Sequence, residues 1–179
     1  MTWKEFLILC INDLPIWVYE AAASIFVMLF VSIICFCKRK NRIRLVARLF
    51  LIEYVTLTLA STVLFRSSQE ERNYDYQPFW SYKAIEEGNN VLLYENIFNV
   101  LAFVPIGLST SLMLKKTNWL YAILCGMLLS VIIEALQFCF MKGFSEIDDI
   151  FHNTMGCILG LLIYQIVYMT WRYSMNLFK

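Results

Sequence analysis

Residues 119–141 read WLYAILCGMLLSVIIEALQFCFM, and this stretch decides the class of fold. It contains one acidic or basic residue, Glu134, and it has the roughly 20 residues that a helix needs to cross the hydrocarbon core of a bilayer. Backbone N–H and C=O groups find no water inside a bilayer, so such a stretch satisfies them by forming a helix. The sequence therefore predicts a transmembrane helix here and an integral membrane protein.

Four other stretches have the same apolar character. They are residues 16–37, 45–65, 96–114 and 150–171. The stretch 45–65 is the least apolar because it contains Arg48 and Glu53. Residues 3–11 are too short to span and are typical of an interfacial or re-entrant helix. We predict an all-α bundle of about five transmembrane helices that forms a single membrane domain, residues 1–179.

The composition of the whole chain agrees with this prediction. Hydrophobic residues make up 60% of the chain and charged residues 16%, whereas soluble domains are about 45–50% apolar. The net charge of +1 does not indicate a nucleic-acid partner. The six cysteines lie mostly in apolar runs without zinc-type spacing, so we interpret them as packing residues. No small-residue cleavage site follows the first residues, so a secretory signal peptide is not expected.

The charges between the stretches predict the orientation. The loop KRKNRIRLVAR, residues 38–48, has six basic residues in eleven, and loops of this kind stay in the cytoplasm. Residues 66–95 carry six acidic and three basic residues, so they fall outside. The N-terminus is then outside and the C-terminus inside. Because aromatic residues surround Pro78, we expect residues 66–95 to be an outer aromatic and acidic loop folded onto the membrane surface, not a free linker.

Polar residues inside the predicted helices gather near their outer ends. Glu134 lies seven residues before the end of its helix, which is roughly 10 Å at 1.5 Å per residue. Gln137 lies on the same helical face. A charged group at the centre of a membrane helix costs about 2.5–3.5 kcal/mol, so such residues are candidates for function. The residues predicted at this depth are Glu20, Arg66, Asn96, Asn99, Glu134, Gln137, Asp148, Asp149 and Asn153.

Two helices that begin outside carry polar and glycine stripes. The first stripe is Asn96, Asn99, Phe103 and Gly107, and the second is Asp149, Asn153, Gly156 and Gly160. Glycines spaced four apart allow another helix to come close. Pro105 is expected to kink its helix, and His152 shares a face with Asp148.

Each candidate also has a structural interpretation. Asp148 or Asp149 could cap its own helix. A structural Glu134 would need a partner such as Arg66, or it would be protonated because it is buried.

The amides and the remaining polar residues have structural interpretations as well. Asn99 and Gln137 could form hydrogen bonds between helices, and the Gly156 and Gly160 pair could serve packing alone. His152 could be a residue of the membrane interface without a further role.

Several ordered motifs resemble those of the VanZ-like family. They are Asn99-x-x-x-Phe103-x-Pro105-x-Gly107, Glu134-x-x-Gln137 and Asp148-Asp149-x-x-x-Asn153-Thr-x-Gly156-x-x-x-Gly160, with Pro78-Phe79 upstream. The motif region is 96–165, and the resemblance extends from about residue 66. It implies a multi-pass protein of a Gram-positive bacterial cell membrane that confers low-level resistance to teicoplanin and related lipoglycopeptides. The resemblance implies a phenotype more than a reaction, so whether the protein is an enzyme stays open.

Three functions are compatible with these residues. The first is an outer-leaflet site that binds or modifies an envelope lipid, with Glu134 and Asp149 as catalytic candidates and Glu134 as the general acid or base. In this hypothesis Asp148 and Asp149 would hold a divalent cation such as Mg²⁺. The binding candidates are Arg66 (for a phosphate), Phe79, Asn99, Gln137, Asp148 and Asn153.

The second function is a non-enzymatic protein that sequesters lipid II, a lipid-linked cell-wall precursor, or the acyl tail of a lipoglycopeptide antibiotic. Its aromatic outer loop would make the contact. The third is a small transporter, which is disfavoured because the inner half lacks a polar path.

Overall fold

The computed structural model describes residues 15–36, 39–114 and 119–177. In chain order the elements are α1 (Ile16–Phe36), α2 (Arg39–Leu59), a π-helical turn (Ala60–Leu64), β1 (Asn73–Asp75), α3 (Trp80–Glu86), α4 (Asn90–Met113), α5 (Trp119–Phe140), β2 (Phe144–Glu146) and α6 (Ile147–Leu177). The predicted all-α class is confirmed, and two three-residue strands are added to it.

A helix occupies each of the five predicted stretches. Within the part of the chain that the structure describes, three helices are long and apolar enough to cross a membrane: α4, α5 and α6. α2 begins earlier than predicted, at Arg39, because Arg and Lys are good helix formers. The predicted helix at 3–11 lies outside the described residues, and the orientation of the bundle stays a prediction.

Helices α4 and α6 pack backbone to backbone. A Cβ atom added at Gly107, Gly156 or Gly160 would lie 2.0, 2.2 and 2.2 Å, respectively, from a carbonyl oxygen of the facing helix. The predicted close approach at the glycines of α6 is therefore confirmed. A small buried cluster fills the adjacent space between the helices: Phe103, Ile106, Ile133 and Cys157.

Helix α4 stays helical on both sides of Pro105. Proline removes one backbone N–H from the helix, so nearby carbonyl groups are free to bind other donors. The Tyr54 hydroxyl donates to the Ala102 carbonyl at 2.8 Å. This hydrogen bond joins α2 to α4 three residues before the proline.

The π-helical turn ends α2 where the 66–95 segment begins. Phe65 N donates to the carbonyl of Ala60 five residues earlier, at 2.9 Å. Two carbonyls of the turn bind side chains at the end of α5: Gln137 Nε2 donates to Thr62 O at 3.2 Å and Lys142 Nζ to Leu64 O at 3.0 Å. Such turns often occur at functional sites, and this one places Arg66 beside the loop after α5.

The 66–95 segment is folded against one end of the bundle, here called the loop end. β1 pairs in parallel with β2, with Asn73 opposite Phe144 and Asp75 opposite Glu146. Gln69 N also donates to the Met141 carbonyl at 2.8 Å. The prediction that this segment is not a free linker is confirmed.

Candidate functional site

Asp148 fixes the start of α3 on the loop end. Its Oδ1 accepts a hydrogen bond from Phe79 N at 2.6 Å, and its Oδ2 accepts from Ser81 N at 3.1 Å and Ser81 Oγ at 2.6 Å. Phe79 has φ +64°, a left-handed conformation that is uncommon for a bulky residue. Asp148 therefore caps α3 from a distance of 69 residues in sequence, where the sequence had suggested a cap of its own helix.

His152 and Asn96 extend this attachment. His152 Nε2 lies 2.9 Å from the Tyr82 hydroxyl, and Asn96 Nδ2 donates to Ser81 Oγ at 3.2 Å. Burial, and then the charge of Asp148, raise the pKa of Tyr82. His152 is 3% exposed, so the interpretation of His152 as a residue of the membrane interface is wrong. It joins α3 to α6 from inside the structure.

Four carboxyl groups converge where α4, α5, β2 and α6 meet. This carboxyl cluster consists of Glu95, Glu134, Glu146 and Asp149. Asp149 lies within electrostatic range of the other three, and Glu146 lies within range of Glu95 and Glu134. Arg66 lies within range of Glu95 and Asp149. The structure thus brings together Glu134, Asp149 and Arg66, which the sequence placed at one depth.

Hydrogen bonds fix one oxygen of three of these carboxyl groups. Glu134 Oε2 accepts from Glu146 N at 2.8 Å, and Glu146 Oε2 accepts from Trp80 Nε1 at 2.9 Å. Asp149 Oδ1 accepts from Asn99 Nδ2 at 2.7 Å. The donors come from β2, α3 and α4, so the cluster depends on the folded 66–95 segment as well as on the long helices.

The carboxyl cluster runs from an open rim to a buried floor. Glu134 is 6% exposed, the other three carboxyl groups are half-buried, and Arg66 is exposed. The Arg66 guanidinium lies over Gly143, where an added Cβ atom would be 2.7 Å from Nη1. Gly143 also has φ +103°, so two independent constraints favour glycine there.

Two buried amides lie one helical turn on either side of Glu134. Gln137 Nε2 donates to Thr62 O at 3.2 Å, and Asn153 Nδ2 donates to Ser130 Oγ at 2.8 Å. Both residues are 4% exposed. Their carbonyl oxygens, Gln137 Oε1 and Asn153 Oδ1, are buried and have no hydrogen-bond partner among the residues that the structure describes.

Glu146 lies outside the membrane-spanning helices, and its environment disfavours its charged form. Burial, and next the charge of Asp149, raise the pKa of Glu146 to about 8, although the hydrogen bond from Trp80 opposes this shift. Glu146 is therefore mostly neutral at pH 7. Loss of its proton at higher pH would add a negative charge to the rim of the cluster.

Comparison with known proteins shows the family of this chain. The family model described as VanZ/LLP1 matches residues 23–168. The chain belongs to the VanZ/LLP1 family. "Protein VanZ" of Enterococcus faecium is 37% identical over 70 residues, which cover 39% of this chain and 44% of that protein. The match thus spans less than half of the length of that relative. No solved structure matches the chain.

Membership in the VanZ/LLP1 family confirms the resemblance read from the ordered motifs, and the apolar helices make this a membrane protein. The sequence missed two members of the carboxyl cluster, Glu95 and Glu146. A signal was present for both: Glu95 lies four residues before Asn99, on the same face of α4, and Glu146 lies in the short loop before Asp148. What the sequence did not show is that β2 turns Glu146 toward Trp80.

A divalent cation at Asp148 and Asp149 does not fit the contacts in this VanZ/LLP1 protein. Both oxygens of Asp148 already accept hydrogen bonds from Phe79 and Ser81. Across residues 15–36, 39–114 and 119–177, no group of three or more His, Cys, Asp or Glu side chains is arranged to hold a metal ion. The contacts of Asp148 instead indicate that it holds the 66–95 segment in place.

Two remaining candidates lie at the edge of the site or beyond it. The Phe79 ring is 52% exposed and makes edge contacts with Tyr82 and Phe151. A second aromatic cluster of Tyr74, Tyr76 and Phe138 lies on the same segment. Glu20 is exposed on α1, which packs on α2.

Proposed function

We propose that this VanZ/LLP1 protein is a multi-pass protein of a bacterial cell membrane that binds an envelope lipid at its carboxyl cluster. We further propose that this binding confers low-level resistance to teicoplanin and related lipoglycopeptides. The observation that carries the proposal is the convergence of Glu134, Asp149 and two buried amides at one end of the apolar helices. Family membership and the name of the VanZ relative support the resistance phenotype.

The cost of the cluster supports a functional site. Ionisable groups within membrane helices are expensive and usually face a functional cavity or a partner. Packing alone needs no such group, because α4 and α6 already meet through their glycines. The half-buried rim of Glu95, Glu146 and Asp149 would lie at the depth of lipid headgroups if the loop end is the outer end.

Chemistry at the bound lipid would require a proton-transferring group, and Glu134 is the best placed. The Glu146 N–H holds its Oε2 in a fixed position at 2.8 Å, and its burial excludes bulk water. These are the conditions under which a carboxyl group acts as a general acid or base. Binding alone would use the same residue as a hydrogen-bonding group, so the enzymatic step is tested separately by searching for a modified lipid.

The first test compares Glu134→Gln with the wild type in a susceptible Gram-positive host. We expect the wild type to raise the inhibitory concentration of teicoplanin and Glu134→Gln to lose most of that increase, because the substitution keeps the shape and removes the carboxyl group. Glu53→Gln is the matched control, since Glu53 is a carboxyl group of α2 that lines a different, apolar groove. Membrane abundance is equalised by immunoblotting.

Equal resistance from Glu134→Gln and the wild type would reject the role of the carboxyl cluster. No resistance from the wild type would reject the proposed phenotype. Loss of resistance in Glu53→Gln as well would show that any carboxyl group of the helices is needed for folding.

A second candidate function is non-enzymatic sequestration of lipid II or of the antibiotic acyl tail by the aromatic residues of the loop end. The exposed rings of Phe79, Tyr82 and Phe151 favour it, since they contact one another beside the site. Here changes at Trp80 and Tyr82 would reduce resistance more than Glu134→Gln does. Tyr121→Ala, an equally exposed tyrosine at the opposite end of α5, is the control. The reverse ranking would reject this function.

A further inference from the structure

The unpartnered polar atoms beside the carboxyl cluster are hydrogen-bond acceptors. Gln137 Oε1 and Asn153 Oδ1 are buried without a partner among the described residues. A buried polar atom left without a partner costs about 1–3 kcal/mol, so each such atom calls for an explanation. A ligand that donates hydrogen bonds would satisfy both.

The orientation of the Gln137 amide follows from its neighbour. Its second terminal atom lies 3.2 Å from the carbonyl oxygen of Thr62. A carbonyl oxygen can only accept a hydrogen bond, so the –NH₂ group must point to Thr62 and the amide oxygen must point away from it. Gln137 is one turn from Glu134 on the same face of α5, and the free oxygen therefore borders the buried floor of the cluster.

The charges at this end of the bundle also favour a donor. Four carboxyl groups face one guanidinium group, that of Arg66. Two other basic side chains of the loop end are engaged elsewhere: Arg72 lies 5.3 Å from the centre of the Phe138 ring, and Lys142 Nζ binds Leu64 O. The surroundings would repel a bare phosphate and attract a cation.

We infer that the carboxyl cluster and its two flanking amide oxygens bind the primary ammonium group of the ligand. The inference rests on the proposed lipid-binding function and names the chemical class of the ligand. A primary ammonium carries three N–H donors and a positive charge, which matches several carboxylate and amide oxygens at once. A quaternary ammonium has the same charge without any donor, and a phosphate has neither.

This difference among headgroups sets the experiment. The full-length protein is reconstituted in phosphatidylcholine nanodiscs that contain equal small amounts of phosphatidylethanolamine and phosphatidylglycerol. The lipids retained after detergent extraction are then counted by native mass spectrometry. We expect phosphatidylethanolamine to be enriched about tenfold over both other lipids, which by the tenfold-per-1.4 kcal/mol relation is a modest preference. Glu134→Gln should lose the enrichment and Glu53→Gln should keep it.

Each outcome separates this inference from the function on which it rests. Enrichment of phosphatidylglycerol or of phosphatidylcholine would overturn the ammonium inference and leave lipid binding standing. Retention of no lipid, by a wild type that still raises the inhibitory concentration of teicoplanin, would overturn lipid binding itself.

Soluble ethanolamine, added to the protein in pure phosphatidylcholine nanodiscs, distinguishes a free amine from a lipid. Binding of ethanolamine with no enrichment of phosphatidylethanolamine would support the ammonium class and assign it to a soluble molecule. Gel filtration of each variant shows that it is folded, so a misfolded variant is not mistaken for a loss of binding.

Discussion

Asp148 stabilises a backbone conformation that its partner could not hold alone. Phe79 adopts φ +64°, and a left-handed conformation at a non-glycine residue costs about 1–2 kcal/mol. The Asp148 carboxylate accepts three hydrogen bonds at this point, and hydrogen bonds to a charged group contribute about 1.5–3 kcal/mol each. The gain exceeds the cost, so one carboxylate is enough to keep α3 and the Phe79 ring beside the carboxyl cluster.

Glu146 makes the stability of the folded protein depend on pH. Its pKa is about 8 in the folded protein against 4.5 in the unfolded chain. Between these values the folded protein binds more protons than the unfolded chain, so stability falls as the pH rises through this window. Glu146→Gln should weaken the fall in thermal stability between pH 5 and pH 8, because glutamine still accepts from Trp80 but cannot ionise.

The measurement is thermal unfolding of the detergent-solubilised protein across that pH range. Glu71→Gln serves as the control, since Glu71 is an exposed acidic residue of the same segment. An unchanged pH dependence in Glu146→Gln would show that other carboxyl groups cause the fall.

At the scale of elements, the contact between α4 and α6 depends on glycine. Gly156→Ala would place a Cβ atom 2.2 Å from the Val100 carbonyl oxygen, and a backbone atom cannot move aside as a side chain can. Overpacking of this kind costs about 1–3 kcal/mol. We expect a marked fall in the unfolding temperature and, since Asn99 and Asp149 lie one to two turns away on the two helices, a weaker contact between them.

Gly126→Ala is the matched control for this substitution. Its added Cβ atom would meet the Cys157 side chain at 3.0 Å, which is a milder contact with a group that can shift. Equal destabilisation by the two substitutions would mean that the close approach of the two backbones is not what sets stability.

At the scale of the whole molecule, the orientation in the membrane is the decisive prediction. The basic residues 38–48 favour the cytoplasm, and the acidic 66–95 segment favours the outside. In a cysteine-free background, Glu70→Cys should react with a membrane-impermeant maleimide in intact cells. Arg172→Cys, near the other end of α6, should react only after permeabilisation. The opposite pattern would place the carboxyl cluster on the cytoplasmic side and remove the basis for an outer-leaflet function.

The sequence by itself determined the class of fold, the positions of the long helices and the close packing at Gly156 and Gly160. These features depend on local properties: apolar length, helical spacing and the lack of a side chain. The depth of Glu134, Asp149 and Asn153 also followed from the sequence, because residues per turn convert directly into distance along a helix.

Only the tertiary structure decided which polar groups share a site. Asp148 caps α3 instead of α6, and Glu146 enters the carboxyl cluster, because β1 pairs with β2 across about 70 residues of chain. Such a pairing leaves no periodic pattern in either three-residue strand. The partners of a polar side chain depend on groups that are distant in sequence, whereas helix formation depends on neighbours, and this is the physical reason for the division.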